Sequence, residues 1–510
     1  MPESTSDQPR LWTRAVIIGT PATCTALAAQ FETFAPERRP VGCLLTEPAH
    51  RQPLLDVIGF AEDLERIHKA HAFSFAIVSL PSTAGALATR LRARLRSLGI
   101  ESRWVPALED VIDAPPAIST SSPIDLVELI GRTPYGIDRR EVSRTIGGKR
   151  VLITGAGGSI GSEIARIAAT FRPEQLVLME RSENALFEID RQIARRFPDV
   201  PRRAVLHDVV DADATLRLCV ALKPQVVFHS AAHKHVPLME DHPAHAVTNN
   251  FFGTKSIADA ANAVGAERFV MISSDKAVNP TSVMGATKRL AEMYVQSLHR
   301  AGGASGRTSF SMVRFGNVLG SACSVLPIWG AQLAEGGPIT VTDPRMTRYF
   351  MTIHEAAMLV IQSAAIDARA QHAASVYVLD MGEPVRILDL AQRFVTLSGF
   401  TPRLPETSPL PFAGPIVDVT FTGARPGEKL HEELAYAAES LRPTPFPGIN
   451  AWTGMLPADF DAAELVAELG TARVSPDRRA VLEIIRKNVP EMRKADLAEP
   501  IPARGQPAAA

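Results

Sequence analysis

Cysteine is scarce: four residues in 510, Cys24, Cys43, Cys219 and Cys323, lie far apart and form no CxxC pair. That argues against a disulfide framework or a cysteine zinc site and fits a reducing compartment, with each thiol expected as a buried small hydrophobe. A surplus of one charge is also missing. Lys and Arg number 54 against 55 Asp and Glu, a formal net charge of −1. No global field then favours nucleic acid or an anionic membrane. No run approaches the roughly 18 apolar residues of a membrane helix, so no transmembrane segment is expected. The polar start MPESTSDQPR does not read as a signal peptide, and the expected location is cytoplasmic. There is no internal repeat. The remaining composition, 46% hydrophobic and 21% charged, is ordinary for a globular chain.

What is present alternates apolar runs with helical patterns. RAVIIG, PVGCLL and FSFAIVSL read as short buried strands, TALAAQFETF and ALATRLRARLRSLGI as helices. Together they predict a small Rossmann-like α/β domain over residues 11–135, after a disordered start at 1–10. The turn after its first strand, GTPATC, lacks the glycines that let a backbone approach a pyrophosphate. A structural or regulatory role is therefore expected for this domain, and a chain begun near Ile137 is expected to keep its turnover. A linker rich in charge and turn residues covers 136–148. An α/β domain with a doubly wound parallel sheet follows over 149–455, its smaller substrate lobe mainly at 317–455. A helical extension is expected at 456–495 and a disordered tail at 496–510.

The second domain opens with VLITGAGGSIGSEIARIAATF. Gly155, Gly158 and Gly161 fall on a GxxGxxG turn between a strand and a helix opened by Ser159 and Ile160. Such glycines permit a tight turn, close approach to a pyrophosphate and tight helix–strand packing, with the helix N-terminus facing the phosphates. Glu180 ends the next strand, where a carboxylate would accept from ribose hydroxyls and favour NAD. Arg181 follows it and could instead meet the 2′-phosphate of NADP. Asp208 and Val209 are placed to flank adenine, although Asp208 could equally cap a helix. Ala231 and Ala232 are small enough for the backbone to pass a cofactor, and Asn250 lies in the helix TNNFFGTKSIADAANAV, where an interior Asn is often merely solvent-facing.

Residues 273–288 read SSDKAVNPTSVMGATK. A short-chain dehydrogenase would place Ser, then Tyr, then Lys four residues later, and the phenol would exchange a proton with a sugar hydroxyl. Ser274 and Lys288 are present, but Met284 holds the Tyr position, and a thioether carries no proton. Asp275 and Lys276 are the adjacent groups able to do acid–base work. With TGAGGSIGSE, HSAAHKHVPLMEDHP, TNNFFGT, VRFGNVLGS, TVTDPRMTRYFMTI and GARPGEKLHEEL, this stretch resembles the nucleotide-sugar 4,6-dehydratases of polysaccharide biosynthesis. These are extended short-chain dehydrogenases, and the resemblance covers roughly Gly148 to Ala437. The N-terminal α/β domain and LIGRTPYGID resemble the long, membrane-anchored members, which also carry Met in place of Tyr. One departure is GSACSVLP, with Ala322 and Cys323 where relatives often have Arg-Gly.

The resemblance implies a hydro-lyase that acts on UDP-N-acetylglucosamine, with NAD or NADP tightly bound and recycled. Hydride would leave C4, water would be lost across C5 and C6, and the hydride would return to C6. Asp275 would be the acid toward O6 and Lys276 the base at C5, for which its pKa must fall. Met284 would pack against the nicotinamide, and Lys288 would hold its ribose and assist at O4. His233, Lys234, Asn317, Val318, Arg425, Glu428 and Lys429 would bind the UDP-sugar. Metal binding by His233 and His235 has little support without a carboxylate or cysteine cluster. The resemblance further implies a homo-oligomer, retention at C5, and a product used in capsule or O-antigen synthesis. A UDP-hexosamine 4-epimerase and a non-catalytic nucleotide-sugar-binding or scaffolding protein are the alternatives. The missing Tyr and the Asp–Lys pair argue against the first, and the retained Asp275, Lys276 and Lys288 against the second.

Overall fold

The computed structural model describes residues 15–34, 40–48, 55–80, 84–105, 126–132, 134–302, 308–366, 376–405, 416–436, 441–452, 454, 456 and 459–492. The segments 1–10 and 496–510, expected to be disordered, lie outside these. The chain divides into two compact units, Met1–Pro123 and Ile124–Ala510.

In the first unit β1 (Ala15–Gly19), β2 (Cys43–Leu45), β3 (Val57–Phe60), β4 (Phe75–Ser79) and β5 (Glu101–Trp104) form a parallel sheet ordered β3-β2-β1-β4-β5. The central strands AVIIG and FAIVS are apolar and fully buried, as strands covered on both faces must be. The sequence reading passed over β3 and β5. Both are four-residue edge strands that are partly exposed, and ESRW carries no apolar run.

The second unit contains β6 (Arg150–Thr154), β7 (Gln175–Glu180), β8 (Arg202–Leu206), β9 (Val226–His229), β10 (Arg268–Ile272) and β11 (Ser309–Arg314). It continues with β12 (Asn317–Leu319), β13 (Ile339–Val341), β14 (Thr347–Arg348), β15 (Phe350–Thr352), β16 (Val376–Leu379), β17 (Val385–Arg386), β18 (Thr401–Arg403), β19 (Ile416–Phe421), β20 (Leu441–Pro443) and β21 (Ile449–Trp452). The main sheet runs β20-β21-β16-β11-β10-β9-β6-β7-β8, parallel apart from the β21 and β20 edge. Strand order reverses between β6 and β9, the switch point at which a doubly wound sheet opens its crevice. Apolar clusters lie on both faces, one holding Ile164, Ile189 and Leu359, the other Cys219, Ile257 and Val295. The small sheets β12-β15, β13-β19-β18 and β14-β17 build a lobe around Trp329, Leu390 and Phe394.

Two expectations need correction. Residues 124–135, assigned from sequence to the first domain, belong to the second unit. Leu129 and Ile130 are buried in the lobe core with Leu319 and Phe350. Arg132 donates to Glu355 Oε1 at 2.8 Å and to the Asp380 carbonyl at 3.0 Å, while the Tyr135 N–H donates to the same Glu355 oxygen at 3.1 Å. Glu355 is fully buried, and burial pushes its pKa up against these donors. A chain begun near Ile137 would strip this carboxylate of its partners and the lobe of apolar core. The four cysteines also differ: Cys24, Cys43 and Cys219 are buried, but Cys323 is exposed. At the C-terminal end, helices Ala462–Val474 and Arg478–Asn488 pack Leu465, Leu469, Val481 and Ile485 against Met284 and Leu290. Among the described residues no helix is long and apolar enough to cross a membrane.

Candidate active site

The glycine turn joins β6 to the helix Ser159–Ala169, whose N-cap is Gly158. Gly155 has φ +65, and a Cβ there would stand 2.8 Å from the Ala231 nitrogen. A Cβ on Gly161 would lie 2.1 Å from the Gly155 oxygen, so only glycine lets the helix seat on the turn. A Cβ on Gly158 would meet only that oxygen, at 3.2 Å, and otherwise enter the cleft. The cleft is lined by Gly155, Gly158, Glu180, Arg181, Asp208, Val209, Ala231 and Ala232, with His233 and Asn249. A backbone cradle that a side chain would fill, at a helix N-terminus, fits a dinucleotide pyrophosphate. Ser159 is occupied otherwise: its Oγ accepts from the Ala322 N–H at 3.1 Å. Ile160 packs against the apolar core.

At the far end Glu180 accepts from the Gly157 N–H at 3.1 Å and from the N–H groups of Arg181 and Ser182. It thus ties the glycine turn to β7. Arg181 donates to Asn249 Oδ1 at 3.0 Å and lies 3.8 Å from Asp208 Oδ2. Both the carboxylate suited to ribose hydroxyls and the guanidinium suited to a 2′-phosphate stand here. Two assignments shift. Asn250 is fully buried; it accepts from the His233 N–H and donates to the His233 carbonyl and to Thr287. Its neighbour Asn249 lines the cleft instead, because the chain forms a π-helix over Val247–Phe252 that offsets the helical register. His233, expected at the sugar, lines this cofactor-side cleft, stacked on His245 with centroids 5.0 Å apart. Burial, then the neighbouring Arg181 and His245, push its pKa down to about 4.

The acid–base groups follow β10. Ser274 caps a short helical turn over Asp275–Ala277 and donates from Oγ to Asp275 Oδ1 at 2.9 Å. Asp275 is fully buried, and Oδ1 also accepts from Lys276 Nζ at 2.9 Å. Its Oδ2 has no hydrogen-bond partner among the described residues. Lys276 further donates to Asn317 Oδ1 at 3.2 Å and sits 3.7 Å from Glu432 Oε1. Burial opposes its charge, but the Asp275 and Glu432 carboxylates outweigh that and raise its pKa. Lys288 is depressed instead, brought down to about 8 by burial against the pull of Glu292, with Nζ donating to the Ile272 carbonyl at 2.6 Å, and burial lowers Lys234 as well. The expectation of a lowered Lys276 is thus overturned in the free protein: one turn of chain places it between two carboxylates. Met284, 4% exposed, packs in the cluster of Val236, Met239 and Leu290 and lines neither cleft.

A second pocket gathers Lys234, Asn317, Arg425, Glu428 and Lys429 with Lys276. Arg425 is forked onto Glu428 at 2.8 Å, and Lys429 Nζ donates to the Val278 carbonyl at 2.9 Å. Val318 is not among the lining residues and packs on the core. The sequence reading missed Arg348 and Glu432, although both lie inside strings it singled out. Arg348 is buried and donates to the carbonyls of Thr347, Lys429 and Leu430. Glu432 Oε2 is buried without a partner among the described residues. At the Ala322–Cys323 departure the backbone keeps a conformation suited to glycine. Cys323 sits at φ +56, where a glycine would be unstrained, and Lys234 Nζ reaches the Ala322 carbonyl at 2.8 Å.

Residues 151–453 match the family described as polysaccharide biosynthesis protein. Over 445 residues the chain is 41% identical to the probable polysaccharide biosynthesis protein EpsC of Bacillus subtilis, covering 86% of this chain and 71% of that one. It is 29% identical over 297 residues to the UDP-N-acetylglucosamine 4,6-dehydratase (inverting) of Campylobacter jejuni, covering 58% of this chain and 79% of that one. The X-ray structure of Pen from Bacillus thuringiensis superposes with a TM-score of 0.52 at 30% identity, covering 64% of this chain and 99% of that one.

Proposed function

The chain belongs to the polysaccharide biosynthesis protein family, and we propose that its second unit is a nucleotide-sugar 4,6-dehydratase acting on UDP-N-acetylglucosamine. The observation that carries this reading is the Asp275–Lys276 pair, with Lys276 lining the pocket and Asp275 fully buried against it, its Oδ2 unpartnered among the described residues, in a chain that has methionine where a proton-carrying tyrosine would stand. The 29% identity to a dehydratase of that name supports it. The glycine cradle fits a nicotinamide dinucleotide held by Gly155, Gly158 and the helix N-terminus, with Glu180 and Arg181 at its adenosine end. When bound, it supplies a hydride acceptor for C4 and a donor for C6.

The chain's own groups handle protons. Once C4 is a ketone, the C5 proton is acidic. Transfer of a proton from the Lys276 ammonium to Asp275, 2.9 Å away, creates the base and the acid together. The Lys276 amine takes the C5 proton while Asp275 protonates the departing O6, and water leaves. Lys276 then returns its proton to C5, which gives retention when both transfers use one face. Lys288 holds the cofactor ribose. Arg425 and Lys429 meet the diphosphate, and Lys234 stands at the rim of the same pocket.

Incubation of the purified protein with UDP-N-acetylglucosamine, without added cofactor, tests this. Mass spectrometry should show a product lighter by one water, and NMR a methyl at C6. A C4 isomer of unchanged mass would favour the epimerase, and consumption of stoichiometric NAD an ordinary dehydrogenase.

A further inference from the structure

Oxidation at C4 releases the O4 proton, and in short-chain dehydrogenases a tyrosine receives it. Position 284 is Met, buried in an apolar cluster, so no proton carrier stands there. A balanced cycle constrains the replacement. The C5 proton leaves and returns, hence the proton lost at O4 is the one consumed at O6. The site needs an acceptor at O4 that connects to Asp275.

We propose that Glu432 takes the O4 proton and that Lys276 relays it to Asp275, an inference that rests on the dehydratase reading. Glu432 comes from the segment after β19 and is 8% exposed. Its Oε1 lies 3.7 Å from Lys276 Nζ and 3.9 Å from Arg348 Nε. Its Oε2 is buried with no partner among the described residues. A carboxylate oxygen so withdrawn from water is costly unless a donor meets it, and a sugar hydroxyl in this pocket is such a donor. Arg348, pinned by three carbonyls, fixes the approach of Glu432. Lys276 Nζ already spends two of its three N–H bonds on Asp275 and Asn317, and the third is left for Glu432. Asp275 Oδ1 is taken by Ser274 Oγ and Lys276 Nζ, both at 2.9 Å. Lys288 is committed to the Ile272 carbonyl at 2.6 Å.

The step balances. The O4–H bond breaks as the C4 hydride departs, its electron pair forms the carbonyl, and the proton joins Glu432. Lys276 gives a proton to Asp275 and, now an amine, takes the C5 proton. Asp275 loses its proton to O6 as the C6–O bond breaks. After C6 is reduced, Lys276 returns the C5 proton and then receives that of Glu432, which restores the Glu432 carboxylate and the Lys276 ammonium.

Single-turnover absorbance of the reduced nicotinamide, with UDP-N-acetylglucosamine binding measured by calorimetry, provides the test. Glu432→Gln should bind the sugar nucleotide within a few-fold of wild type yet reduce its bound cofactor about 10²–10⁴-fold more slowly. Glu432→Asp should recover part of that rate. Asp275→Asn, by contrast, should still reduce the cofactor and then stall. Cofactor reduction by Glu432→Gln at the wild-type rate overturns the proposal even if wild type releases water. Wild type that releases no water overturns the dehydratase reading and the relay with it. Should Glu432→Gln fail to fold, Glu432→Asp decides: a rate equal to wild type at every pH overturns the relay, and a slowed first step supports it.

Discussion

Both units run a buried strand into a turn and a helix near the middle of a parallel sheet, β1 into Pro21–Phe34 and β6 into Ser159–Ala169. In the first, a Cβ on Gly19 would stand 2.4 Å from Thr23 Oγ1 and 2.6 Å from the Ser79 carbonyl, so the unit's own atoms fill the turn. In the second, a Cβ on Gly155, just after β6, would likewise stand 2.8 Å from the Ser230 carbonyl, but the longer turn runs on to Gly158, where a Cβ would meet only the Gly155 oxygen, at 3.2 Å. Topology offers the same place twice, and the residues of the turn decide whether it holds space for a ligand.

The comparison is broken most directly at these glycines. Gly158→Val should leave the protein folded but empty of nicotinamide and without turnover. Gly19→Val should lower the melting temperature of the first unit and leave cofactor content unchanged. Extraction and chromatography of the bound nucleotide, beside calorimetric unfolding, reads both. Cofactor retained by Gly158→Val, or lost by Gly19→Val, would erase the distinction.

Within the second unit the same contrast sharpens at the proton carriers. Asp275→Asn and Lys276→Ala should each slow water loss by about 10²–10⁴-fold. Both should still oxidise C4, so that reduced cofactor accumulates in a single turnover. If neither accumulates it, the elimination is not the step these residues serve.

The sequence made the second sheet legible because VLIT, QLVLME, QVVFH and RFVMI are continuous apolar runs with helical sequence between them. It made the glycine cradle legible because three glycines sat between a strand and a helix. Exposed edge strands such as ESRW escape a hydrophobicity pattern. Asn249 and Asn250 could not be ranked, since a π-helix changes which of two neighbours faces the cleft. Glu432 and Arg348 were invisible as functional groups because their importance comes from burial beside Lys276, which spacing does not report. The Lys276 pKa is equally hidden from spacing: burial lowers it, and the Asp275 and Glu432 carboxylates outweigh that.

The boundary between the units is the next test. A chain begun at Ile124 should retain turnover per site, since Leu129, Ile130, Arg132 and Tyr135 remain. A chain begun at Ile137 should lose stability by several kcal/mol: deleting one buried Leu typically costs about 2–5 kcal/mol, and Glu355 also loses its buried donors. Denaturant unfolding of the two chains measures the gap. Equal stability would return 124–135 to the first unit.

The smallest effect is expected at Met284. Its side chain belongs to the apolar cluster shared with Val236, Leu290 and the C-terminal helices, and it faces neither cleft. Met284→Leu conserves volume and should cost less than about 1.5 kcal/mol, with kcat nearly unchanged. Met284→Tyr is the sharper variant. It restores the phenol of the tyrosine-bearing enzymes, but in this packing the hydroxyl enters apolar surroundings and costs about 1–3 kcal/mol without a partner. The Tyr variant should therefore be the less stable of the two and no faster, and it should leave the Glu432→Gln defect unrepaired when the two are combined. Rescue of that defect by Met284→Tyr would show that position 284 reaches O4 after all.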